Sequence, residues 1–383
     1  MDRRGVISSL GVWLGASTLV GRAGSAWAQT PAGSGNRIVL GQSAPFSGPF
    51  EQLAVQYHLG AKLFFDDLNA KGGVNGRTVE LRRLDDGYAP ERCVANTKQL
   101  MADGVFALFG YVGTPTSQAA LPLATEAKLP FFAPLSGAQS LREPFNRFVF
   151  HVRASVMDET AAIIRQTQAV GIRKFAVFHQ NDPDGLAGLA GVTHALKALN
   201  LAPLAIGSVD SNSAEVGKAV ADIVAARPEA IVQVGTYRSC ASFVRQARQK
   251  GFTGGFYDVS IVGTQALMDE LGTEAKGVSV SQVVPFPYAA ATQISRDYIA
   301  LHKDLHGISP NYAGMEGFIA AKVFTEGLRR AGRNPTREAF VAALETMKGF
   351  DLGGYPVDFG PDRHTGSRFV ELTLLTGDGR VRR

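Results

Sequence analysis

The chain has 383 residues, 45% of them apolar, with a formal net charge of +5. Residues 1–28 carry +2 of that charge, which leaves only +3 on the remainder. No window packs five or more like charges, so nothing marks a nucleic-acid surface. Past residue 28, no run approaches the roughly 18 apolar residues of a membrane span. About 355 residues remain there, a length that suggests two domains with real cores.

The N-terminus reads as a secretory signal over 1–28. Arg3 and Arg4 supply the basic start, Val6 to Val20 an apolar stretch diluted by Gly and Ser, and Ala26-Trp27-Ala28 a small-x-small cleavage site before Gln29. Arg3-Arg4-Gly5-Val6-Ile7 also fits a loose twin-arginine pattern, so two export routes stay open. Residues 29–36 are a Pro/Gly/Ser linker. The two cysteines, Cys93 and Cys240, lie in separate halves of the chain within helix-like patterns, and free thiols are expected.

Beyond the linker, strand and helix alternate. Strands are expected at 37–43, 79–84, 105–109 and 129–133, with helices at 52–70, 90–101 and 115–127. The rhythm repeats with helices at 157–170, 186–199, 214–225, 238–250 and 265–271. Strands at 174–179, 204–207, 230–234, 255–259 and 278–283 separate them. Such alternation means βαβ units, right-handed crossovers and parallel sheets. Helices at 293–306, 312–331 and 336–347 then follow without intervening strands, and two strand-like runs close the chain at 355–359 and 368–376. The helices are expected on the first sheet and the tail strands in the second. This gives an α/β chain of two doubly wound, Rossmann-like lobes, 37–152 plus 286–350 and 153–285 plus 351–383, joined by three crossovers. Arg380, Arg382 and Arg383 read as a solvated tail, and His58, His302 and His306 as surface residues on helices.

In an open parallel sheet, ligands bind beyond the carboxyl ends of the strands, where free N–H groups and helix N-termini gather. On the first lobe three loops qualify: 43–49 with Phe46, 110–117 with Tyr111 and Thr114, and 134–138 with Leu135, Ser136 and Gly137. Their hydroxyls and amides suit a carboxylate. Helix capping accounts for any one of them alone, whereas three on one edge point to a site. The second lobe offers 180–185 with Asp184, 235–238 with Tyr237 and Arg238, and 258–260 with Ser260. Tyr237 and Arg238 suit an anionic or aromatic ligand, or simply a solvent-exposed helix start. Asp85-Asp86 reads as loop or cap bonding. Gly185, Gly188 and Gly191 lack dinucleotide spacing and suit close helix packing. No nucleophile elbow, P-loop or zinc-protease signature is present, so neither an enzyme nor a cofactor is indicated.

Ser47-Gly48-Pro49, Gly72-Gly73-Val74-Asn75-Gly76, Asp85-Asp86, 110–118, Phe132-Ala133-Pro134 with Ser136-Gly137, and 316–322 together resemble a family. It is that of the periplasmic solute-binding proteins of the branched-chain amino acid (Leu/Ile/Val-binding) type, the receptors of ABC transporters. The resemblance runs over essentially the whole chain after the signal. It implies a type I periplasmic binding fold, a monomer that binds a small carboxylate or amino-acid ligand between two hinged lobes, and a membrane permease as partner. Thr114 matches the hydroxyl of the carboxylate site, Leu135 and Gly137 its backbone groups, and Asp184 and Tyr237 fall where aromatic contacts are usual. One departure stands out: Ser260 falls where amino-acid binders of this family place an acid against the ammonium. Asp258 or Asp184 could replace it; otherwise the ligand lacks an amino group and is a small acid, aromatic acid or amide. A ligand sensor presenting its closed form to a membrane receptor is the alternative to a transport receptor, with an exported enzyme a distant third.

Overall fold

A computed structural model describes residues 35–383 except 212, 304 and 306, so the signal expected at 1–28 and His306 lie outside the described residues. The first half contributes β1 (Arg37–Ala44), α1 (Glu51–Ala70), β2 (Thr78–Asp85), α2 (Pro90–Ala102), β3 (Ala107–Phe109), α3 (Thr114–Glu126), β4 (Phe131–Phe132) and β5 (Val149–Phe150). Next come α4 (Val156–Ala169), β6 (Phe175–Asn181), α5 (Pro183–Lys197), β7 (Ala205–Asp210), α6 (Gly217–Ala225), β8 (Ala230–Val234) and α7 (Tyr237–Gln249). The remainder is β9 (Gly255–Asp258), α8 (Thr264–Leu271), β10 (Val278–Gln282), α9 (Gln293–Ala300), α10 (Tyr312–Ala331), α11 (Arg337–Glu345), β11 (Phe350–Asp351), β12 (Pro356–Val357), β13 (Glu371–Leu375) and β14 (Val381–Arg382).

Two sheets result. The first is parallel in the order β2-β1-β3-β4-β5. The second runs β14-β13-β10-β9-β8-β6-β7, parallel from β6 to β10 and antiparallel at β13 and β14. The central parallel strands carry buried side chains on both faces, as expected when helices cover both sides; β8 is buried at all five positions, whereas edge strand β7 alternates buried with exposed ones. The late helices do pack on the first sheet. Phe324 of α10 meets Phe106, Phe109 and Phe132 edge-on, and Phe340 of α11 packs on Phe106 at 5.5 Å. The helix pair α1 and α10 crosses so closely that a Cβ on Gly317 would lie 2.0 Å from the Tyr57 carbonyl oxygen. In the second sheet, a Cβ on Gly188 would meet Val234 at 2.4 Å, so this glycine run serves packing as its spacing suggested.

Three chain passages join the sheets. They run from β5 into α4, from β10 towards α9, and through 359–370 into β13. Tyr355 bolts two of them together by donating its hydroxyl to the Val152 and Val283 carbonyls at 2.9 and 3.2 Å. The third is tied to the first where the Gly366 N–H reaches the His151 carbonyl at 2.8 Å.

Four expectations change. The run 355–359 does not join the second sheet; β12 pairs with β11 in a separate hairpin. The tail is not simply solvated, because Val381–Arg382 adds the edge strand and Arg383 pairs with Glu371 at 3.1 Å. His58 and His302 are buried, not on the surface. Each ring finds an internal partner, Gln42 Oε1 at 2.7 Å and the Tyr298 carbonyl at 2.8 Å respectively. The helix expected to run to 306 ends at Ala300. Cys93 and Cys240 are free and buried, as expected.

Candidate functional site

Both sheets share one strand order, with the reversal between β1 and β3 in the first and between β6 and β8 in the second. Loops at such a switch point splay apart and leave a crevice. Thr114 follows β3, Asp184 follows β6, and the two switch points face each other.

Gly113 has φ 95°, in the left-handed region that favours glycine, and a Cβ there would meet the Tyr88 ring at 2.5 Å. That turn delivers Thr114 as the first residue of α3, where main-chain N–H groups have no partner inside the helix. The Asp184 carboxylate, from the first turn of α5 on the other lobe, occupies this place. It accepts the Thr114 N–H at 2.9 Å, the Thr114 hydroxyl, and the Tyr88 hydroxyl at 2.7 Å. Ser136 backs the arrangement, its hydroxyl 2.7 Å from Thr114 Oγ1 and accepting the Ala138 N–H at 3.2 Å. Arg142 braces the same loop from behind, donating to the Ser136 and Ala138 carbonyls at 3.2 and 3.0 Å. Burial and neighbouring Asp182 push the Asp184 carboxyl upward in pKa, against the pull of the Thr114 and Tyr88 bonds. Burial and the two aspartates raise Tyr88 further, so it stays a phenol and donates.

Nearer the crossovers lies a second polar group. Arg153 leaves the first passage with its side chain 2% exposed. It donates to Glu159 Oε1 at 3.1 Å and to the Ser260 hydroxyl, and stands 3.4 Å from Glu316 of α10. Glu159 also accepts the Ser260 N–H at 2.8 Å and the Ser281 hydroxyl at 2.6 Å. Burial alone would depress the Arg153 pKa, and the two carboxylates more than offset it. A cavity of about 20 Å³, room for roughly one water, lies here between Leu135, Arg153, Ser260, Thr264, Tyr312 and Glu316. The lobes are also bridged by Gln52 and Asp269 at 3.0 Å.

The structure thus brings Thr114, Ser136 and Asp184 into one cluster and sets Leu135 and Ser260 on the adjoining cavity. The Leu135 N–H and carbonyl are spent on Tyr111 and Gly113, at 2.7 and 3.2 Å, and the Gly137 carbonyl takes the Val156 N–H at 2.8 Å. Tyr111, expected in the site, turns into the core instead. Its hydroxyl meets Thr97 at 3.0 Å and its ring packs on Phe131 at 4.9 Å. Phe46 packs edge-on against His58 at 5.6 Å, and Phe50 is the aromatic beside Tyr88 at 4.6 Å. Tyr237 is half-buried, and Arg238 lies over its ring at 5.4 Å with the side chain exposed. Asp258 does not reach the cleft: it is buried against α7, accepts Gln233 Nε2 at 3.1 Å, and is pushed up to about 7 by burial. Asp85 and Asp86 serve loop bonding, accepting the hydroxyls of Ser47 and Ser43 at 2.7 and 2.8 Å. Sequence reasoning missed Tyr88, Asp182, Arg153 and Glu316. Tyr88 sits after β2 and beside the flagged Asp85-Asp86, Asp182 lies within the flagged loop 180–185, and Glu316 opens the flagged stretch 316–322; only Arg153 carried no signal.

Known proteins share this architecture. A family model described as "Periplasmic binding protein" matches residues 37–379. An amino acid binding protein of Pseudomonas aeruginosa is 25% identical over 309 residues, 79% of this chain and 81% of that one. The Leu/Ile/Val-binding protein of Escherichia coli is 21% identical over 258 residues, 67% of this chain and 70% of its own. Among solved structures, a possible leucine/isoleucine/valine-binding protein from Rhodopirellula baltica superposes with TM-score 0.85 at 32% identity, covering 89% of this chain and 95% of that one. A substrate-binding periplasmic protein from Ralstonia solanacearum does so with TM-score 0.84 at 33% identity, covering 90% and 99%. These relatives are binding proteins, not enzymes. With the strand orders and the three passages above, they establish that this chain belongs to the periplasmic binding protein family, of the Leu/Ile/Val-binding type and with the type I fold.

Proposed function

We propose that the chain is the extracytoplasmic receptor of an ABC uptake system. It binds a small carboxylate-bearing ligand between its lobes, 37–152 plus 286–350 and 153–285 plus 351–383, which open and close about the three passages. The observation that carries this reading is the Thr114 site, where a helix N-terminus, a hydroxyl and a phenol from one lobe already hold a carboxylate from the other. The ligand's carboxylate takes the same donors. The family membership supports the transport role, and the signal read at 1–28 supports export to the periplasm. No described helix is long and apolar enough to cross a membrane, which fits a receptor that docks on a separate permease. The receptor works as a monomer.

A thermal-shift screen of amino acids and small carboxylates tests the proposal. A ligand at a hundredfold excess over Kd should stabilise the protein by about 2.7 kcal/mol. Thr114→Ala should weaken that ligand by about 1–3 kcal/mol in calorimetry through loss of a charge-assisted bond. No shift with any carboxylate, or full affinity in the variant, would sink the reading.

A further inference from the structure

The loop that follows β4 contains a donor with nothing to donate to. Gly137 is buried and its carbonyl takes the Val156 N–H at 2.8 Å, yet among the described residues its own N–H meets no acceptor. Buried main-chain N–H groups are almost always paired, so an open one marks a place where something binds. Its neighbours belong to the Thr114 site. Ser136 Oγ lies 2.7 Å from Thr114 Oγ1 and takes the Ala138 N–H at 3.2 Å.

What holds this loop is Arg142, which follows the short helical turn Gln139–Leu141. Its Nη1 donates to the Ser136 and Ala138 carbonyls at 3.2 and 3.0 Å. Its Nη2 donates to the Arg153 and Ala154 carbonyls of the first passage, both at 3.4 Å. The charged groups that act on it are Arg153, Asp158, Glu159 and Glu316. None of the three acids among these pairs with it: Asp158 caps α4 through Ser155, and the two glutamates touch Arg153 instead. An arginine placed to neutralise those acids would reach them. This one directs both terminal nitrogens at main-chain carbonyls.

A trans peptide points its C=O and N–H in opposite directions. The guanidinium that holds the Ser136 carbonyl therefore turns the Gly137 N–H away from itself. Its charge also polarises that peptide, which strengthens the N–H as a donor. The loop has no freedom to tilt, because a Cβ on Gly137 would lie 2.7 Å from the Val156 nitrogen.

We propose that Arg142 is the positioning residue of the carboxylate site. Anchored on the Arg153 and Ala154 carbonyls, it fixes and polarises the Ser136–Gly137 peptide. The Gly137 N–H then receives one oxygen of a ligand carboxylate whose other oxygen sits on Thr114. Arg142 acts through the loop, with no ligand contact of its own. This rests on the carboxylate-receptor reading above and names the residue that sets the strength of that site.

The experiment screens the twenty amino acids, 4-methylpentanoate and 3-phenylpropionate on the full secreted chain by thermal shift. Calorimetry then compares each acid that binds with its primary amide, in the wild type, Arg142→Gln and Arg142→Lys. The wild type should prefer the acid at least about tenfold. Arg142→Gln should weaken the acid about tenfold and the amide no more than about twofold, and Arg142→Lys, which keeps the charge, should recover part of the loss. Damage to folding alone would lower acid and amide together. A folded Arg142→Gln that keeps the wild-type acid-to-amide ratio overturns the proposal, as does an Arg142→Lys as weak for the acid as Arg142→Gln. The wild type gives a test that needs no variant: in ¹⁵N NMR the Gly137 amide should shift and exchange more slowly when the acid binds. A Gly137 amide that does neither also overturns the proposal. In each of these cases the carboxylate reading survives. If no acid of the panel binds the wild type, both readings fall.

Discussion

The two lobes are built on one plan and carry opposite chemistry. Strand order 2-1-3-4-5 in the first sheet recurs as 7-6-8-9-10 in the second, so each lobe presents its loops at an equivalent switch point. Yet the first lobe offers donors there, Thr114, Ser136 and Tyr88, while the second offers acceptors, Asp182, Asp184 and Gln180. The shared order places the loops, and the few residues at the loop ends decide what they hold. The lobes also differ in how they are completed. The first needs α10, a helix that arrives about 240 residues after its partner α1, whereas the five parallel strands of the second come from one continuous stretch.

The largest effect is expected where the lobes meet. Arg153 lies between Glu159 and Glu316, and removing it leaves two buried carboxylates without their ion-pair partner. Arg153→Met should destabilise the protein by about 3–5 kcal/mol in denaturant unfolding. Adding Glu159→Gln and Glu316→Gln to it should recover most of that loss. If the triple variant is no more stable than the single one, Arg153 acts through packing and the electrostatic account of the junction is wrong. A smaller effect tests the first lobe alone. Gly317→Ala drives a Cβ to 2.0 Å from the Tyr57 carbonyl oxygen, which is backbone and cannot swing away. It should cost about 1–3 kcal/mol and expose α1 and α10 in hydrogen exchange before the second lobe opens. Uniform opening of both lobes would show that they unfold as one unit and erase this part of the contrast.

How much of this was legible in the sequence follows from range. Period and punctuation are local, so the strand–helix alternation, the long helix 312–331 and the hydroxyl at Thr114 could be read directly. Two-residue strands such as β5 and β14 could not, because pairing defines them more than pattern does. The tail run 355–359 has strand character, but its partner is decided by the hairpin at Asp351, whose carboxylate takes the N–H groups of 353, 354 and 355. In the site, the donor side was legible since its hydroxyls follow strands. Tyr111 was misplaced because the turn at Gly110 and Gly113 sends neighbouring side chains to opposite faces. The pairing of Arg153 with Glu316 was invisible: they lie 163 positions apart and meet only when α10 folds back.

The gentlest probe compares buried acids in the two lobes. Burial lifts Asp258 of the second lobe to about 7 and Asp86 of the first to about 6, both from an ordinary 3.8. In the folded state each holds its proton over a range where the unfolded chain has released it. Stability from Asp258 is therefore fully present below about pH 4 and is lost as pH rises through about 7. The geometry agrees, since Gln233 Nε2 reaches Asp258 Oδ2 while buried Asp258 Oδ1 accepts no hydrogen bond. Asp258→Asn mimics that neutral form. It should leave stability nearly unchanged at pH 4 and raise it by about 4 kcal/mol at pH 8, about three pH units at roughly 1.4 kcal/mol each. The slope that remains, from Asp86, should run from about pH 4 and end near pH 6, where folded Asp86 releases its proton. A variant that tracks the wild type in parallel from pH 4 to 8 would mean that Asp258 is ionised throughout, and that the second lobe buries a third uncompensated carboxylate beside Asp182 and Asp184.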